Sequence, residues 1–366
     1  MSRKLLCCCA TAALSLATPF SAAKADAPRV AVDISPVHSL VARVMDGVGE
    51  PDLIVSPGAS PHGYQMRPSQ ARALQNAELV VWIGAELTPW MDGAVDTLGA
   101  DAKVLGLLDA EGTQTYGFRE GAVFGGGDED DHHGHDDHHK HDDHAEDDHD
   151  DHDDHDHEAH DKDEDDHAHH DEKHDEHEDH DDHAGHDDHG HDHDGLDPHA
   201  WLAPANAITW MGMLAEELSE LDPENAETYR ANAAAGQADI EALVARLSAE
   251  LEPLKSQPFV VFHDAYQYFE SSFGLAAAGA ISLGDASDPS PARLAELKEH
   301  IAEDGIACIL AEPQFDPGLI AAVAEGSAAR TGILDPLGSD LAPGAALYGD
   351  LLQNLASELS KCLAPA

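Results

Sequence analysis

Residues 128–194 contain no aromatic residue and no aliphatic side chain larger than alanine. Such a segment cannot bury enough apolar area to offset the entropy of ordering it, so it joins no core and is expected to be disordered when metal-free. Any fold must be built from the two flanks. The tract holds 34 acidic residues, three lysines and 23 of the 28 histidines, and thus −31 of the formal net charge of −54. The flanks keep 39 acidic and 16 basic residues, a net −23, in an ordinary background of Ala, Leu and Val. A surface of this sign repels nucleic acid and anionic membrane and attracts cations.

Residues 1–25 read as an export signal. Arg3 and Lys4 give a positive start, residues 5–17 form an apolar run too short to span a bilayer, and Ala23-Lys24-Ala25 is a small-x-small cleavage site. The mature chain is expected to begin at Asp26, in the periplasm. Cys7, Cys8 and Cys9 lie inside the signal, with only Leu5 and Leu6 between them and the charged start, which argues against lipid acylation. Cys308 and Cys362 remain. An even count in an oxidising compartment suggests one disulfide, with two buried free thiols as the alternative.

In the flanks, short apolar runs alternate with amphipathic stretches. Residues 29–34, 52–55, 79–83 and 103–107 read as strands, and 36–46 and 68–76 as helices. After the tract come helices over 206–221 and 223–251, the second with Asp222 as N-cap and Pro223 at its first position. Further strands are expected at 259–262, 277–282, 306–310 and 332–334, and further helices at 291–304, 317–330 and 345–362. This alternation predicts an α/β fold of two lobes, each a mainly parallel sheet flanked by helices, joined by one long linking helix. The expected boundaries are 26–222 for the N-terminal lobe, 223–252 for the linking helix and 253–366 for the C-terminal lobe.

Only five histidines lie outside the tract: His38, His62, His199, His263 and His300. His62 follows a predicted strand in Gly58-Ala59-Ser60-Pro61-His62, His199 sits in Asp197-Pro198-His199, and His263 directly follows the strand ending at Phe262. Asp335 again stands where a strand should end. Open α/β sheets bind ligands beyond the carboxyl ends of their strands, so these four fall where a cleft is expected. Three imidazoles with one carboxylate or water suit tetrahedral Zn²⁺, whereas a Mn²⁺ site would use more oxygen. Spacing alone leaves each histidine open to a purely structural role.

The stretches GASPHGYQMRPS (58–69), LVVWIGAEL (79–87), DPHAWLAP (197–204), VFHDAYQYFE (261–270), AEPQF (311–315) and LDPLGS (334–339) span the mature chain. Through them the chain resembles the ZnuA-like periplasmic zinc-binding subunits of bacterial ABC transporters, among the cluster A-I metal receptors. The acidic, His-rich insert lies where zinc members of that family carry theirs. The resemblance implies that His62, His199 and His263 ligate zinc. Manganese-binding relatives place a carboxylate at the position of His263. Some zinc relatives have Glu just before the first histidine, where this chain has Pro61, so Asp335 becomes the expected fourth ligand, with water as its competitor. A Cys308–Cys362 disulfide also fits zinc members.

His38 is expected either to reach the cleft behind a ligand or to be a structural histidine, and Glu312 either to orient a ligand or to cap a turn. Trp201 and Tyr266 are expected to wall the cleft, Asp264 to hold a neighbouring loop, and His300 to have no functional role. The implied function is Zn²⁺ capture by a monomeric receptor for delivery to a membrane permease and its cytoplasmic ATPase, the tract recruiting metal. A periplasmic zinc buffer or a metal-dependent adhesin is the alternative. The chain lacks an H-E-x-x-H, which argues against a zinc hydrolase. The long helix is expected to limit hinge motion.

Overall fold

In the computed structural model, residues 27–119, 121–124, 195–282, 284, 289–315 and 317–364 are described. The expected signal peptide and the 128–194 tract lie outside the described residues. The first lobe contains β1 (Val30–Val32), α1 (Ser35–Val44), β2 (Asp52–Leu53), α2 (Pro68–Asn76), β3 (Leu79–Trp82), α3 (Pro89–Leu98) and β4 (Lys103–Gly106). Its strands pair in the order β2-β1-β3-β4, all parallel. α4 (Pro204–Leu221) and α5 (Ala226–Leu251) follow. The second lobe contains β5 (Phe259–His263), α6 (Gln267–Phe273), β6 (Gly279–Ser282), α7 (Pro291–Glu303), β7 (Cys308–Ala311), α8 (Pro317–Ala324), β8 (Arg330–Ile333) and α9 (Leu347–Leu363). Its sheet repeats the same scheme, β6-β5-β7-β8, again parallel. No helix among the described residues is long and apolar enough to cross a membrane.

The central strands read as continuous apolar runs because both faces of each sheet are covered. All four residues of β3 and all five of β5 are buried, as parallel strands between two helix layers require. At the carboxyl end of β1, Asp33 is fully buried. Its Oδ1 accepts the Ile34 amide and its Oδ2 the Ile83 amide, both at 2.7 Å, so one side chain pins the strand ends of β1 and β3. Burial pushes this carboxyl up to about 7.

The two lobes share one apolar core. A single cluster runs from Val32 and Val81 of the first sheet through Trp210 and Tyr229 to Phe259, Leu310 and Leu355 of the second. α5 packs on α1 and α4 and also on α6 and α9, crossing from lobe to lobe. Its 26 residues span about 39 Å at 1.5 Å per residue.

The linking helix starts differently from the expectation. Residues 223–225 form one 3-10 turn, and the α-helix begins at Ala226. Asp222 caps no backbone amide with its side chain. Its Oδ2 instead accepts from the Asn225 side-chain Nδ2 at 2.6 Å and from the Tyr229 hydroxyl at 2.9 Å. The side-chain partners outcompete the helix terminus for that oxygen. α3 and α6, absent from the sequence reading, are short helices of 10 and 7 residues.

The stretch after β4 leaves the first lobe and docks on the second. Gly117 bridges Leu196 in antiparallel fashion, and Val123 bridges Gly279 at the edge of β6. A Cβ at Gly279 would stand 2.3 Å from the Ala122 carbonyl oxygen, so only glycine admits this approach.

Candidate metal centre

Each candidate histidine is delivered by a different segment, and each is braced. His62 lies in the loop after β2, whose conformation is held by the Trp90 indole donating to the Pro61 carbonyl at 2.7 Å. Tyr64 packs on Trp90, and its hydroxyl meets Ser56 Oγ at 2.8 Å. His199 precedes a 3-10 turn, Ala200–Leu202, that feeds α4. The Trp201 indole donates to the Pro336 carbonyl at 2.8 Å, tying this turn to the second lobe. His263 is the last residue of β5.

The structure brings the three imidazoles together. Ring centroids of His62 and His199 are 5.6 Å apart, and those of His199 and His263 are 5.1 Å apart. His199 is 4 % exposed and His263 2 %, while His62 is half-buried.

The hydrogen bonds behind the rings decide what the rings can do. His199 Nδ1 lies 2.7 Å from Asp197 Oδ1, and His263 Nδ1 lies 2.5 Å from Glu312 Oε1. A carboxylate beside Nδ1 keeps the proton there and turns the Nε2 lone pair outwards, the arrangement found behind metal-ligating histidines. The two Nε2 atoms face each other at 3.2 Å. Two imidazole lone pairs at that separation repel unless a proton or a cation lies between them. Both braces are themselves fixed. Asp197 Oδ1 also accepts the His199 backbone amide at 3.0 Å, and Glu312 Oε2 accepts the Gln314 side-chain Nε2 at 2.8 Å. Burial pushes the Asp197 carboxyl up to about 7, against the backbone N–H of His199 and the nearby Arg119, which pull it down.

Asp335 sits on the turn that Trp201 holds. Its Oδ1 accepts the Leu337 amide at 2.9 Å and its Oδ2 the Ser339 amide at 2.5 Å. Each oxygen keeps acceptor capacity beyond its backbone bond. The His62 loop reaches the same turn, since a Cβ at Gly58 would lie 3.9 Å from the Ser339 Cβ. Tyr266 also closes on it, its hydroxyl donating to the Leu334 carbonyl at 2.9 Å. Among the described residues, no group of three or more His, Cys, Asp or Glu side chains is placed to hold a metal ion as it stands.

His38 is not brought to this cluster. Its Nε2 meets the Pro51 carbonyl at 3.0 Å, and it lines a separate hollow with Asp46, Glu50 and Pro343. Burial lowers its pKa, as for a structural imidazole. His300 bonds Asp304 at the end of α7. Glu312 is buried against the His263 ring, its Oε1 beside Nδ1. Trp201 packs against His199 and Tyr266 against His263, at centroid distances of 5.2 and 6.3 Å. The sequence reading missed Asp197. The signal was present in Asp-Pro-His, an acceptor two residues before a histidine.

The model of the family described as zinc-uptake complex component A, periplasmic, matches residues 30–362. The high-affinity zinc uptake system protein ZnuA of Paracoccus denitrificans is 45 % identical over 352 residues, covering 96 % of each chain. Its namesake from Brucella abortus is 42 % identical over 337 residues, covering 91 % of each. Among solved structures, a zinc-bound ZnuA deletion mutant superposes with a TM-score of 0.65 at 22 % identity, covering 93 % of this chain and all of that one. A mutant of the laminin-binding adhesin of Streptococcus agalactiae gives 0.62 at 18 %, covering 91 % and 99 %. At those identities the likeness shows a shared fold.

Proposed function

The chain belongs to the periplasmic zinc-uptake complex component A family, and from that premise we propose that it captures Zn²⁺ on His62, His199 and His263, with Asp335 as fourth ligand, and delivers the ion to an ABC permease. The observation that carries this reading is the facing pair of Nε2 atoms, each on a buried ring whose other nitrogen is tied to a carboxylate. Three nitrogens and one oxygen suit a tetrahedral Zn²⁺ better than an oxygen-seeking ion. The reading assigns the site no catalysis, because its cargo must leave intact.

Delivery needs a bound ion that can be released. The three imidazoles and Asp335 are held from both lobes, and the lobes share a core, so capture proceeds by local movement of the His62 loop and the Asp335 turn. A docked permease then has only to separate these segments to open the coordination sphere. The 128–194 tract is read as a set of weak, exchangeable sites that raises the local concentration of zinc near the cleft.

Calorimetric titration of the full chain and of a chain lacking residues 128–194 tests this division. The expected result is one tight site in both and several weak sites only in the full chain. Disappearance of the tight site with the tract would refute the cleft assignment. The braces give a second test. Glu312→Gln and Asp197→Asn leave an amide where the ring needs a carboxylate acceptor, and each is expected to weaken zinc binding by roughly ten- to a hundred-fold. Competition with a chelator of known affinity measures the change.

A further inference from the structure

Arg119 is a half-buried cation beside the candidate centre. Its guanidinium forks between two carboxylates of the second lobe. Nε donates to Asp264 Oδ1 and Oδ2 at 2.9 and 3.1 Å, and a further short bond runs from its other arm to Asp264. The two terminal nitrogens also reach Glu270 Oε2 and Oε1, both at 2.9 Å. The Asp264 and Glu270 side chains are 2 % and 5 % exposed, and the Phe124 ring covers the guanidinium at 4.0 Å. These are stacked, bidentate contacts that an ammonium cannot reproduce.

The placement of this fork matters more than its strength. Asp264 immediately follows His263, and Glu270 fastens the end of the same segment by accepting the Ala277 amide at 2.8 Å. Arg119 itself stands two residues beyond Gly117, which bridges Leu196, and Asp197 donates its amide to the Tyr116 carbonyl at 2.8 Å. Asp197 is the carboxylate behind His199. One guanidinium therefore joins the strand that aligns His199 to the turn that carries His263. Tyr268 reinforces the junction, its hydroxyl donating to the Asp197 carbonyl at 2.7 Å and accepting the Tyr116 amide at 3.0 Å.

We propose that Arg119 is a positioning residue for zinc capture, holding the His199 and His263 segments in the register that sets their Nε2 atoms face to face. The inference rests on the zinc reading of the same histidines. Without the fork, Asp264 and Glu270 repel each other, the turn after β5 relaxes, and the two rings lose their common focus. The first ligand, His62, is on another loop and is not governed by it.

The test uses the full chain with Arg119→Lys and Arg119→Ala, each checked for folding by circular dichroism. Zinc affinity is read by chelator competition and site geometry by the visible spectrum of bound Co²⁺. Both folded variants are expected to bind zinc ten- to a hundred-fold more weakly, Lys less affected than Ala, with an altered Co²⁺ spectrum. If Arg119→Ala does not fold, Arg119→Met combined with Asp264→Asn and Glu270→Gln removes the buried charges together and carries the same expectation. Wild-type affinity and an unchanged spectrum in the folded variants would overturn the proposal and leave the zinc reading intact. Failure of the unaltered chain to bind zinc tightly would overturn both.

Discussion

His263→Ala, and separately His199→Ala, is expected to abolish tight zinc binding in a chain lacking residues 128–194, with little loss of fold. Each histidine is proposed as a direct ligand, so the loss must exceed the ten- to hundred-fold that a ligand's hydrogen-bond partner is worth. It is compounded by what remains. Removing the His263 ring takes one hydrogen-bond partner from Glu312, 3 % exposed, and removing His199 takes one from Asp197, 1 % exposed. A buried acceptor that loses a partner costs more than the bond was worth. Isothermal titration should show no site with the tight affinity of the parent. Retention of that affinity in either variant would sink the ligand assignment. His62→Ala is expected to give a smaller loss, because its half-buried position lets a water take its place.

Loss of the disulfide is expected to be the largest effect on stability. Cys308 in β7 and Cys362 in α9 are bridged, with Cα atoms 5.8 Å apart at a sequence separation of 54. On the loop-entropy model, closing such a loop stabilises by about 4 kcal/mol. Both cysteines are buried, and the bridge lies against Gly332 of β8, where a Cβ would stand 3.3 Å from Cys362 Sγ. The double substitution Cys308→Ala with Cys362→Ala is therefore expected to lower the unfolding free energy by about 4 kcal/mol and the melting temperature by roughly 8 °C. Denaturant titration of that variant, beside the parent with and without reductant, checks it. Coincident curves would show that the bridge holds a geometry already fixed by packing.

The architecture was largely legible because buried parallel strands announce themselves. Runs such as Leu79–Trp82 and Phe259–His263 are apolar at every position but the last of β5, and the exception is His263. A histidine that ends such a run stands where a cleft is expected, whereas His62 and His199 lie outside any strand and were singled out as ligands by the resemblance of their flanking stretches. What escaped reading depends on partners distant in the chain. Arg119 meets Asp264 across 145 residues and Glu312 meets His263 across 49. The brace on His199 was closer, two residues away, but Asp-Pro also begins turns and helices, and the pattern does not separate these uses. The same ambiguity placed Asp222 as a helix cap, when tertiary contacts with Tyr229 claim its oxygen. His38 was readable only as a histidine early in a helix after a strand, and which way such a ring turns is decided by the carbonyl of Pro51.

The insertion point of the acidic tract has a consequence of another kind. Before the tract the chain pairs Val123 with Gly279 at the edge of β6, and after it Leu196 pairs with Gly117. Between fixed ends, doubling the length of a flexible loop costs only about 0.6 kcal/mol in closure entropy. Lengthening or shortening the sequence between 128 and 194, or inserting a reporter there, is therefore expected to change the stability of the body little.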